Sequence, residues 1–534
     1  MAAVRSVLFL LLFFCSSLAG SAQAAKVLMM GPSGSHWLNL VYLAEGLISK
    51  GHDVVSLVPS NMYDNQLRVL NTPTRRKIHL ERYEVPLEGD FFDRMIDLQV
   101  ELSLGDNKNQ SSFDSVWTFA SEAFKIVAVG SIGTEECEVL VFDEKLISKL
   151  QQMNFDIIII DPAMICGTIV ARLLNIPLVI MEAPFIMSGF LEYATQAPVP
   201  VATFYSFRTD FRQRLKNLVW HCFAGALMRA YAGRFRPIAS RALGYETTIL
   251  ELMAEADLFL MRGDFIMHPP HPAMPNMAYI GGYHVQNVNP LPKDLEDFME
   301  ASGDAGVVVL SFGSYAKAIG MEKAEMLAAG LARVPFKVIW KFQGQRPKNT
   351  GENTWLMKWI PQNDLLAHLK TRLFITHCGI NAVYEAMFHG VPMVRVPAFA
   401  EQHGNSDNLE TLGTGVTLDI FTMTSDDLYE AIMEVANNKT YKSAAVRLAQ
   451  LQRDQPQSPM DRAVWWIEHV IRHGGLPHLK SAARHLSLLQ YHLLDVAALL
   501  CGVVVAMVLI LWLCCRCCCR VLCGKKTAAK QKQQ

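Results

Sequence analysis

The sequence has almost no charge imbalance. Its 49 Lys and Arg residues stand against 50 Asp and Glu residues, which gives a net charge of −1 at pH 7 and a pI near 7.0. A protein that attracts nucleic acid or acidic substrates through its overall field needs an excess of basic groups. We therefore expect no nucleic-acid partner for this chain.

Cysteine is scarce in the body of the chain. Of the 12 cysteines, Cys15 lies in an N-terminal apolar run, and seven lie in or beside a C-terminal one: Cys501, Cys514, Cys515, Cys517, Cys518, Cys519 and Cys523. The other four thiols, of Cys137, Cys166, Cys222 and Cys378, are too scattered to be a disulfide framework. The C-terminal cluster is a candidate for palmitoylation, and zinc binding is disfavoured because no histidine is near.

Several motifs of cofactor and metal enzymes are also absent. The turn Gly31-Pro32-Ser33-Gly34-Ser35, which follows the first apolar strand, lacks the full G-x-G-x-x-G fingerprint of dinucleotide binding. The chain has no Walker lysine, no metal-ligand spacing and no G-x-S-x-G elbow. We therefore expect neither a resident cofactor nor a bound metal.

The hydrophobic content of 51% is concentrated at the two ends of the chain. Residues 1–24 fit a secretory signal with an apolar core at Val7–Phe14 and a small-residue cleavage site at Ala22-Gln23-Ala24; the alternative, a membrane anchor, needs a longer run. Val496–Leu513 is 18 residues without a charge, enough for a tilted or slightly short membrane-spanning helix. The lysines and arginines that follow predict a cytoplasmic tail at 514–534.

A signal and one span together predict a single-pass type I membrane protein with a lumenal body. Lys530 and Lys532 occupy the fifth and third positions from the end, an arrangement that resembles the dilysine retrieval signal of endoplasmic-reticulum membrane proteins. The alternative is a simple stop-transfer flank. Sequons at Asn109 and Asn438 fall on the lumenal side. We expect a glycoprotein of the endoplasmic-reticulum membrane.

The body is too long for one core, since about 150 residues make one domain. Strand–turn–helix–strand segments occur in two halves, separated by the proline-containing linker Asn287–Lys293. We expect a first domain at 25–286, a second at 287–455, and return helices with a membrane-proximal segment at 456–495. The predicted fold class is α/β, with two Rossmann-like doubly wound domains that face a cleft.

Two polar residues at strand ends of the first half predict a general base. His36 begins a helix just after a strand, and the positive helix N-terminus keeps an imidazole neutral, ready to accept a proton from a hydroxyl. Asp161 ends another strand of this half, and a carboxylate bonded to one imidazole nitrogen fixes its tautomer. The alternatives are a capping or core histidine and an Asp-Pro turn.

The second half has polar residues at strand ends that suit a nucleotide. The amide groups of Ser311 to Ser314, which include Gly313, and of Cys378 to Asn381, which include Gly379, lie near helix starts and are expected to bind an anion. Glu385 lies four residues after Asn381 on the same helix face, where a carboxylate suits ribose hydroxyls. Core or solvated-surface roles are the alternatives.

Four further side chains complete this predicted site. The ring of Trp359 and the amide of Gln362 suit the stacking and reading of a base. Glu401 and Gln402 follow the next strand, where they suit the hydroxyls of a sugar. Their common position at strand ends favours a shared ligand over independent structural roles.

The residues just described resemble a known family. The segment K-W-I-P-Q-N-D-L-L-A-H-L-K through H-C-G-I-N-A-V-Y-E-A-M, with Gly34-Ser35-His36-Trp37 and V-V-V-L-S-F-G-S, resembles the membrane-bound UDP-glycosyltransferases, which include the UDP-glucuronosyltransferases. The resemblance covers most of the chain. It is weakest between about residues 60 and 240, where acceptors are expected to bind.

The resemblance implies a GT-B fold and an inverting, metal-independent transfer of sugar from a UDP-sugar to a hydroxyl of a small lipophilic acceptor. It makes His36 the general base and Asp161 its partner, and the product a β-glycoside. The implied donor contacts are Trp359 and Gln362 for uracil, Glu385 for ribose, Ser314, His377 and Asn381 for the diphosphate, and Glu401 and Gln402 for the sugar.

The chain departs from the family pattern at four positions. Cys378 and Arg395 stand where glycines are usual, and Glu401 replaces an aspartate. Pro270-His271-Pro272 stands where glucuronosyltransferases have an arginine between prolines, and a histidine binds a carboxylate as a cation only when protonated. Glucuronic acid is the donor sugar that the family implies, and glucose is the alternative.

The acceptor and the assembly are less defined. Segments Asp93–Phe124 and Met187–Phe223 are expected to line an acceptor pocket, and their apolar composition predicts lipophilic ligands. The sequence leaves the oligomeric state open, with homo- and hetero-oligomers both compatible with it. A catalytically inactive lipophile-binding membrane protein of this fold is a further alternative, although His36, Asp161 and Glu385 favour an enzyme.

Overall fold

The computed structural model describes residues 24–86, 133–182, 192, 194–201, 207–285, 288–313, 319–398 and 401–531. The chain up to Lys480 forms one compact unit, and the residues from Ser481 form a second. Five predictions lie wholly or largely outside the described residues: the signal, the Asn109 sequon, Ser314, the Asp93–Phe124 segment and the first part of Met187–Phe223.

The first half is built on a seven-stranded sheet whose neighbouring strands are all parallel. The strands are β1 Lys26–Met30, β2 Asp53–Pro59, β3 His79–Tyr83, β4 Ile157–Ile160, β5 Leu178–Glu182, β6 Leu258–Met261 and β7 Met277–Tyr279. Continuous apolar runs such as Ile157–Ile160 are typical of strands covered on both faces. The order is β3-β2-β1-β4-β5-β6-β7, so the direction of winding reverses between β1 and β4.

Helices cover both faces of this sheet. They are α1 Gly34–Ser49, α2 Tyr63–Val69, α3 Glu144–Gln152, α4 Gly167–Leu174, α5 Phe211–Gly233, α6 Arg236–Leu243 and α7 Ile249–Ala254, with a further helix at residues 133–142 and a 3₁₀ turn at Arg75–Lys77. The sequence pattern predicts one long helix from Tyr205 to Arg241. The structure instead divides it after α5, because Pro237, the second residue of α6, lacks the N–H that a continuing helix needs.

The second half repeats the design with a six-stranded parallel sheet. Its strands are β8 Val307–Ser311, β9 Lys337–Lys341, β10 Thr354–Met357, β11 Thr371–Thr376, β12 Met393–Arg395 and β13 Gly415–Thr417. Its helices are α8 Lys293–Glu300, α9 Met321–Leu331, α10 Gln362–Ala367, α11 Ile380–Phe388, α12 Gln402–Thr411, α13 Ser425–Asn437 and α14 Lys439–Arg453. The order β10-β9-β8-β11-β12-β13 reverses between β8 and β11.

The chain then returns to the first half through α15, Pro459–His473. Its inner face buries Ala463, Val464, Ile467 and Val470 in the same apolar cluster as the inner face of α1. A 3₁₀ turn at Pro477–Leu479 follows. The return helix therefore supports the helix that carries His36.

The second unit contains a 3₁₀ turn at Ala482–His485 and two helices, α16 Leu488–Tyr491 and α17 Leu494–Gln531. The segment Leu494–Cys518 of α17 is long and apolar enough to cross a membrane. It begins two residues before the span that the sequence predicts and ends five residues after it.

One cysteine pair departs from the expectation of four scattered thiols. Cys137 and Cys166 form a disulfide across 29 residues of sequence, with their Cα atoms 5.5 Å apart. The helix at 133–142 carries the first, and the second caps α4. Sequence spacing does not reveal this pair, because only the packing of these two helices brings the thiols together.

Gly415 provides a test of the tight contact between β12 and β13. Its φ is +145°, and a Cβ added there would lie 1.8 Å from the backbone oxygen of Met393. We expect Gly415→Ala to cost at least about 3 kcal/mol of unfolding free energy. Gly413, with φ +70° and no atom closer than 4.0 Å, is the matched control, and Gly413→Ala is expected to cost about 1 kcal/mol. Equal losses in denaturant unfolding would contradict this account.

Candidate active site

The structure brings His36 and Asp161 together at the reversal point of the first sheet. His36 lies in the first turn of α1, directly after β1, and Asp161 follows the neighbouring β4. The Nδ1 atom of His36 lies 2.7 Å from Oδ2 of Asp161, whose other oxygen accepts from the Ala163 amide over 3.0 Å. The Asp161 side chain is 1% exposed and that of His36 is 22% exposed.

The surroundings keep Asp161 ionised. Burial alone raises the pKa of this carboxyl, but the interaction and hydrogen bond with His36, the Arg262 charge and the Ala163 amide outweigh it, so the pKa lies below its usual value. An ionised Asp161 accepts the hydrogen of His36 Nδ1. The Nε2 atom of the neutral imidazole then carries the lone pair that can take up a proton.

The reversal point of the second sheet holds the two loops that were predicted to bind an anion. Gly313 follows β8 and Gly379 precedes α11, and a Cβ on either would lie within 3 Å of the His377 ring. Burial and the Lys341 charge lower the pKa of His377 to about 4, although a hydrogen bond that the imidazole donates to the Ser311 backbone opposes them. His377 is therefore a neutral hydrogen-bonding group at pH 7.

Cys378 occupies this loop in the left-handed conformation, with φ +65°. Its side chain is fully buried in the apolar cluster that contains Ile380 and Val383, and Asn405 donates to its backbone oxygen over 2.9 Å. A non-glycine residue in this conformation costs about 1–2 kcal/mol. The side chain of Cys378 is thus packed beneath the loop, which is how the loop accommodates a residue other than the usual glycine.

The structure also brings Gln362 and Glu385 together. Gln362, the first residue of α10, donates to Glu385 Oε2 over 2.6 Å. Burial raises the pKa of Glu385 to about 7, against the opposing effects of Gln362 and Lys341. Trp359 is 69% exposed after β10, with the Lys341 ammonium 4.6 Å from its ring centre.

The remaining predicted residues have specific partners. Asn381 donates from Nδ2 to Oδ1 of Asn39 in the first half, over 2.7 Å. Glu401 caps α12, and burial raises its pKa although the charges of His36 and Arg262 oppose the rise. Gln402 Oε1 accepts from the backbone of Ala398 over 3.0 Å.

Two of the four residues that differ from the family pattern, Arg395 and His271, lie outside the loops that are predicted to bind the donor. Arg395 is fully buried and donates to Thr417 Oγ1 and to the Gly415 backbone oxygen, so it ties β12 to β13. His271 Nε2 accepts from the Tyr279 hydroxyl over 2.8 Å, and burial lowers the pKa of His271. A neutral histidine held in this way is a poor replacement for an arginine.

Arg262 is a charged residue of the site that the sequence reasoning missed. It follows β6, is 6% exposed, and its charge acts on Asp161, Glu182 and Glu401. The same signal that indicated Asp161, a charged residue directly after a buried apolar strand, was present here. Burial and the nearby Asp161 raise the pKa of Glu182 to about 8. Glu182 is therefore neutral at pH 7 and does not offset the positive charge of Arg262.

Among the described residues, one group has metal-ligand proximity: Glu296, Glu300 and His368. His368 Nδ1 accepts from the Lys370 amide over 3.1 Å, and this contact leaves the imidazole hydrogen on Nε2. That hydrogen is directed to Glu296, 3.3 Å away. In this arrangement Nε2 donates to a carboxylate, and none of the three residues is among those predicted for the donor site.

Two parallel sheets with a histidine–aspartate pair at one reversal point and glycine loops at the other define a GT-B glycosyltransferase. Solved structures share this fold. The glycotransferase of kitacinnamycin matches with a TM-score of 0.56 and 17% identity, over 84% of this chain and 99% of that one. SnogD from Streptomyces nogalater also gives 0.56 and 17%, over 85% and 100%. The predicted fold class is confirmed.

The chain belongs to the UDP-glucoronosyl and UDP-glucosyl transferase family, whose model matches residues 25–529. It is 37% identical to human UDP-glucuronosyltransferase 2B17 in an alignment of 545 positions that covers 99% of each chain. Mouse UDP-glucuronosyltransferase 2A1 is 38% identical over 506 residues, with 93% and 94% covered. The protein is therefore an enzyme that transfers a sugar from a UDP-sugar to an acceptor.

The raised pKa of Glu385 predicts a pH-dependent stability. The folded state holds this proton more tightly than the unfolded state, whose pKa is near 4.5, so the stabilisation is full below 4.5 and is lost as the pH rises through 7. The shift corresponds to about 3 kcal/mol. Relative to Glu385→Gln, which stays neutral, the wild-type protein should lose about that much stability between these pH values.

Denaturant unfolding across this pH range measures the effect. Glu352→Gln, at an exposed carboxylate, is the control and should leave the wild-type pH dependence unchanged. If the Glu385→Gln and wild-type curves run parallel, the buried carboxyl does not hold its proton as described.

Proposed function

We propose that the enzyme transfers glucuronic acid from UDP-glucuronic acid to a hydroxyl of a small lipophilic acceptor. The observation that carries the mechanism is the 2.7 Å contact between His36 and the buried Asp161. His36 Nε2 takes the proton of the acceptor hydroxyl. The hydroxyl oxygen attacks the anomeric carbon of the donor sugar as the bond from that carbon to UDP breaks and UDP departs. Asp161 stabilises the imidazolium that forms, and the attack opposite to UDP yields the β-glycoside.

The second half is the proposed donor site. Trp359 offers a stacking surface for uracil and Gln362 an amide for its edge, while Glu385 accepts from the ribose hydroxyls. The amides after β8, the neutral His377 and the start of α11 face the diphosphate and stabilise the charge that develops on the leaving group. Ser311, Gly313, Ser314, Gly379 and Asn381 belong to this diphosphate site, and Glu401 and Gln402 to the sugar site.

Arg262 supports glucuronic acid as the donor sugar. Its guanidinium is buried, its charge acts on Asp161 and on Glu401, and a guanidinium binds a carboxylate with two parallel hydrogen bonds. The neutral His271 supplies no such charge. The names of the relatives agree with this donor. UDP-glucose is the second candidate, because Glu401 replaces an aspartate.

We also propose that the body lies in the lumen of the endoplasmic reticulum, anchored by Leu494–Cys518. The disulfide between Cys137 and Cys166 supports this placement, since disulfides persist in oxidising compartments. The dilysine arrangement near the C-terminus is compatible with retrieval to that membrane. No metal and no resident cofactor enter the proposed reaction, and its partners are the donor, the acceptor and the membrane.

Substitution of the proposed base tests the mechanism. We expect His36→Ala to lower kcat for transfer to a phenol about 10²- to 10⁴-fold, because the hydroxyl loses its proton acceptor. His79→Ala, at a histidine that is 64% exposed on β3, is the control. Microsomal product formation with several UDP-sugars measures both. Equal product from wild type and His36→Ala would refute the base, and no product with any donor would favour an inactive lipophile-binding protein.

The donor sugar is tested by comparing two donors in one variant. We expect Arg262→Gln to lower the ratio of kcat/KM for UDP-glucuronic acid to kcat/KM for UDP-glucose about 10- to 100-fold, the value of a charge-assisted hydrogen bond. Both values should also fall together, because Asp161 loses a charge that keeps it ionised. Because both donors are measured on the same protein, a folding defect cancels in the ratio. His271→Ala should leave the ratio unchanged. A wild-type preference for UDP-glucose would replace the proposed donor.

A further inference from the structure

One side-chain contact joins the two halves beside the candidate site. Asn381, in the first turn of α11, donates from Nδ2 to Oδ1 of Asn39 over 2.7 Å. Asn39 is 1% exposed and lies three residues after His36 on α1. The contact therefore connects the helix that carries the proposed base to the helix whose start faces the proposed diphosphate site.

Tyr283 and His284 close this contact into a ring. The Tyr283 hydroxyl donates to the backbone oxygen of Asn39 over 2.8 Å, and His284 Nε2 donates to the backbone oxygen of Asn381 over 3.1 Å. The two aromatic rings meet edge to face at 5.7 Å, and both residues are buried. Because they are consecutive in the chain, the four residues form one closed circuit of covalent and hydrogen bonds.

The ring keeps its protonation state across neutral pH. Burial lowers the pKa of His284 to about 4, so the imidazole is neutral and its hydrogen stays on Nε2, where the Asn381 oxygen accepts it. The amide and phenol groups do not ionise near pH 7. Three hydrogen bonds at largely buried positions hold the four residues in one geometry.

Helix α1 lies beside the second half over two turns. The Tyr42 ring lies 5.9 Å from the ring of His284, which bonds to Asn381. Burial and the Glu385 charge raise the pKa of Tyr42, and burial raises the pKa of Glu401 against the His36 charge. Asn39 lies between His36 and Tyr42 on the same face of the helix. The contact between Asn39 and Asn381 therefore lies midway along the face of α1 that carries His36 near Glu401, a proposed sugar contact, and Tyr42 near Glu385, a proposed ribose contact.

We propose that Asn39 is a positioning residue for the transfer reaction, which sets the distance between His36 and the anomeric carbon of the bound donor. This inference rests on the function proposed above. The amide nitrogen of Asn381 has two hydrogens, so it can bond to Asn39 with one and to a donor phosphate with the other. Asn39 acts through Asn381 and the placement of α1. A displacement of about 1 Å from the reactive geometry costs about 10²-fold in rate.

Asn39→Ala in the full-length protein tests the inference through a split between kcat and donor affinity. We expect kcat with UDP-glucuronic acid to fall about 10- to 100-fold, because the base is no longer held opposite the donor. The Kd of UDP, measured calorimetrically on the detergent-solubilised protein, should stay within about 3-fold, because Asn39 is not a proposed ligand contact.

Asn276→Ala is the matched control. Asn276 is 4% exposed and directly precedes β7, at the edge of the sheet opposite to the candidate site. Its side-chain nitrogen donates to the backbone oxygen of Ala256 over 3.5 Å, so its loss also removes a buried asparagine and a hydrogen bond. It should lower the melting temperature to a similar degree and leave kcat within about 3-fold of wild type. A second readout is the double variant Asn39→Ala/Asn381→Ala, which should lose no more kcat than Asn381→Ala alone.

Three results would overturn the inference: a kcat of Asn39→Ala within about 3-fold of the Asn276→Ala value, a parallel loss of kcat and UDP affinity, or multiplicative losses in the double variant. His36→Ala is assayed alongside. An inactive His36→Ala with a normal Asn39→Ala refutes the positioning role and leaves the proposed function intact. A wild-type protein without transfer from any donor overturns both.

Discussion

The reversal of strand order within each sheet is the constraint on which the candidate site depends. In the first sheet, β1 lies between β2 and β4, so the crossover connections leave it in opposite directions and the loops after β1 and β4 border an open crevice. His36 and Asp161 occupy those loops and are therefore adjacent although 125 residues separate them. The second sheet repeats the arrangement at β8 and β11, which places Gly313 beside His377.

Burial then decides which groups of the site are charged. It keeps His377 neutral and holds protons on Glu182 and, in part, on Glu385 at pH 7. Asp161 stays ionised at equal depth because His36 and Arg262 offset its desolvation. A reaction that moves one proton to an imidazole while a diphosphate departs needs this separation of charged from neutral groups.

How far the sequence predicts the structure depends on how strongly each segment is buried. Core strands such as Ile157–Ile160 are continuous apolar runs, a pattern that indicates a buried strand directly from the sequence. The strands β3, β10 and β13 contain no apolar run of that length; each is at the edge of its sheet, where a strand is short and part of it meets solvent. Arg395 illustrates the limit for single residues, because only the neighbouring β13 supplies the oxygens that make its burial tolerable.

The sequence by itself determined the two α/β halves, the apolar helix near the C-terminus and the polar residues that end the strands, because each leaves a local pattern of hydrophobicity or a motif of fixed spacing. Tertiary structure alone decided which of these ends meet. It paired Cys137 with Cys166, buried Arg262 among carboxyl groups and directed the Asn381 amide to Asn39. Such contacts join residues distant in sequence, and only the packing of the sheets and helices sets the distance between them.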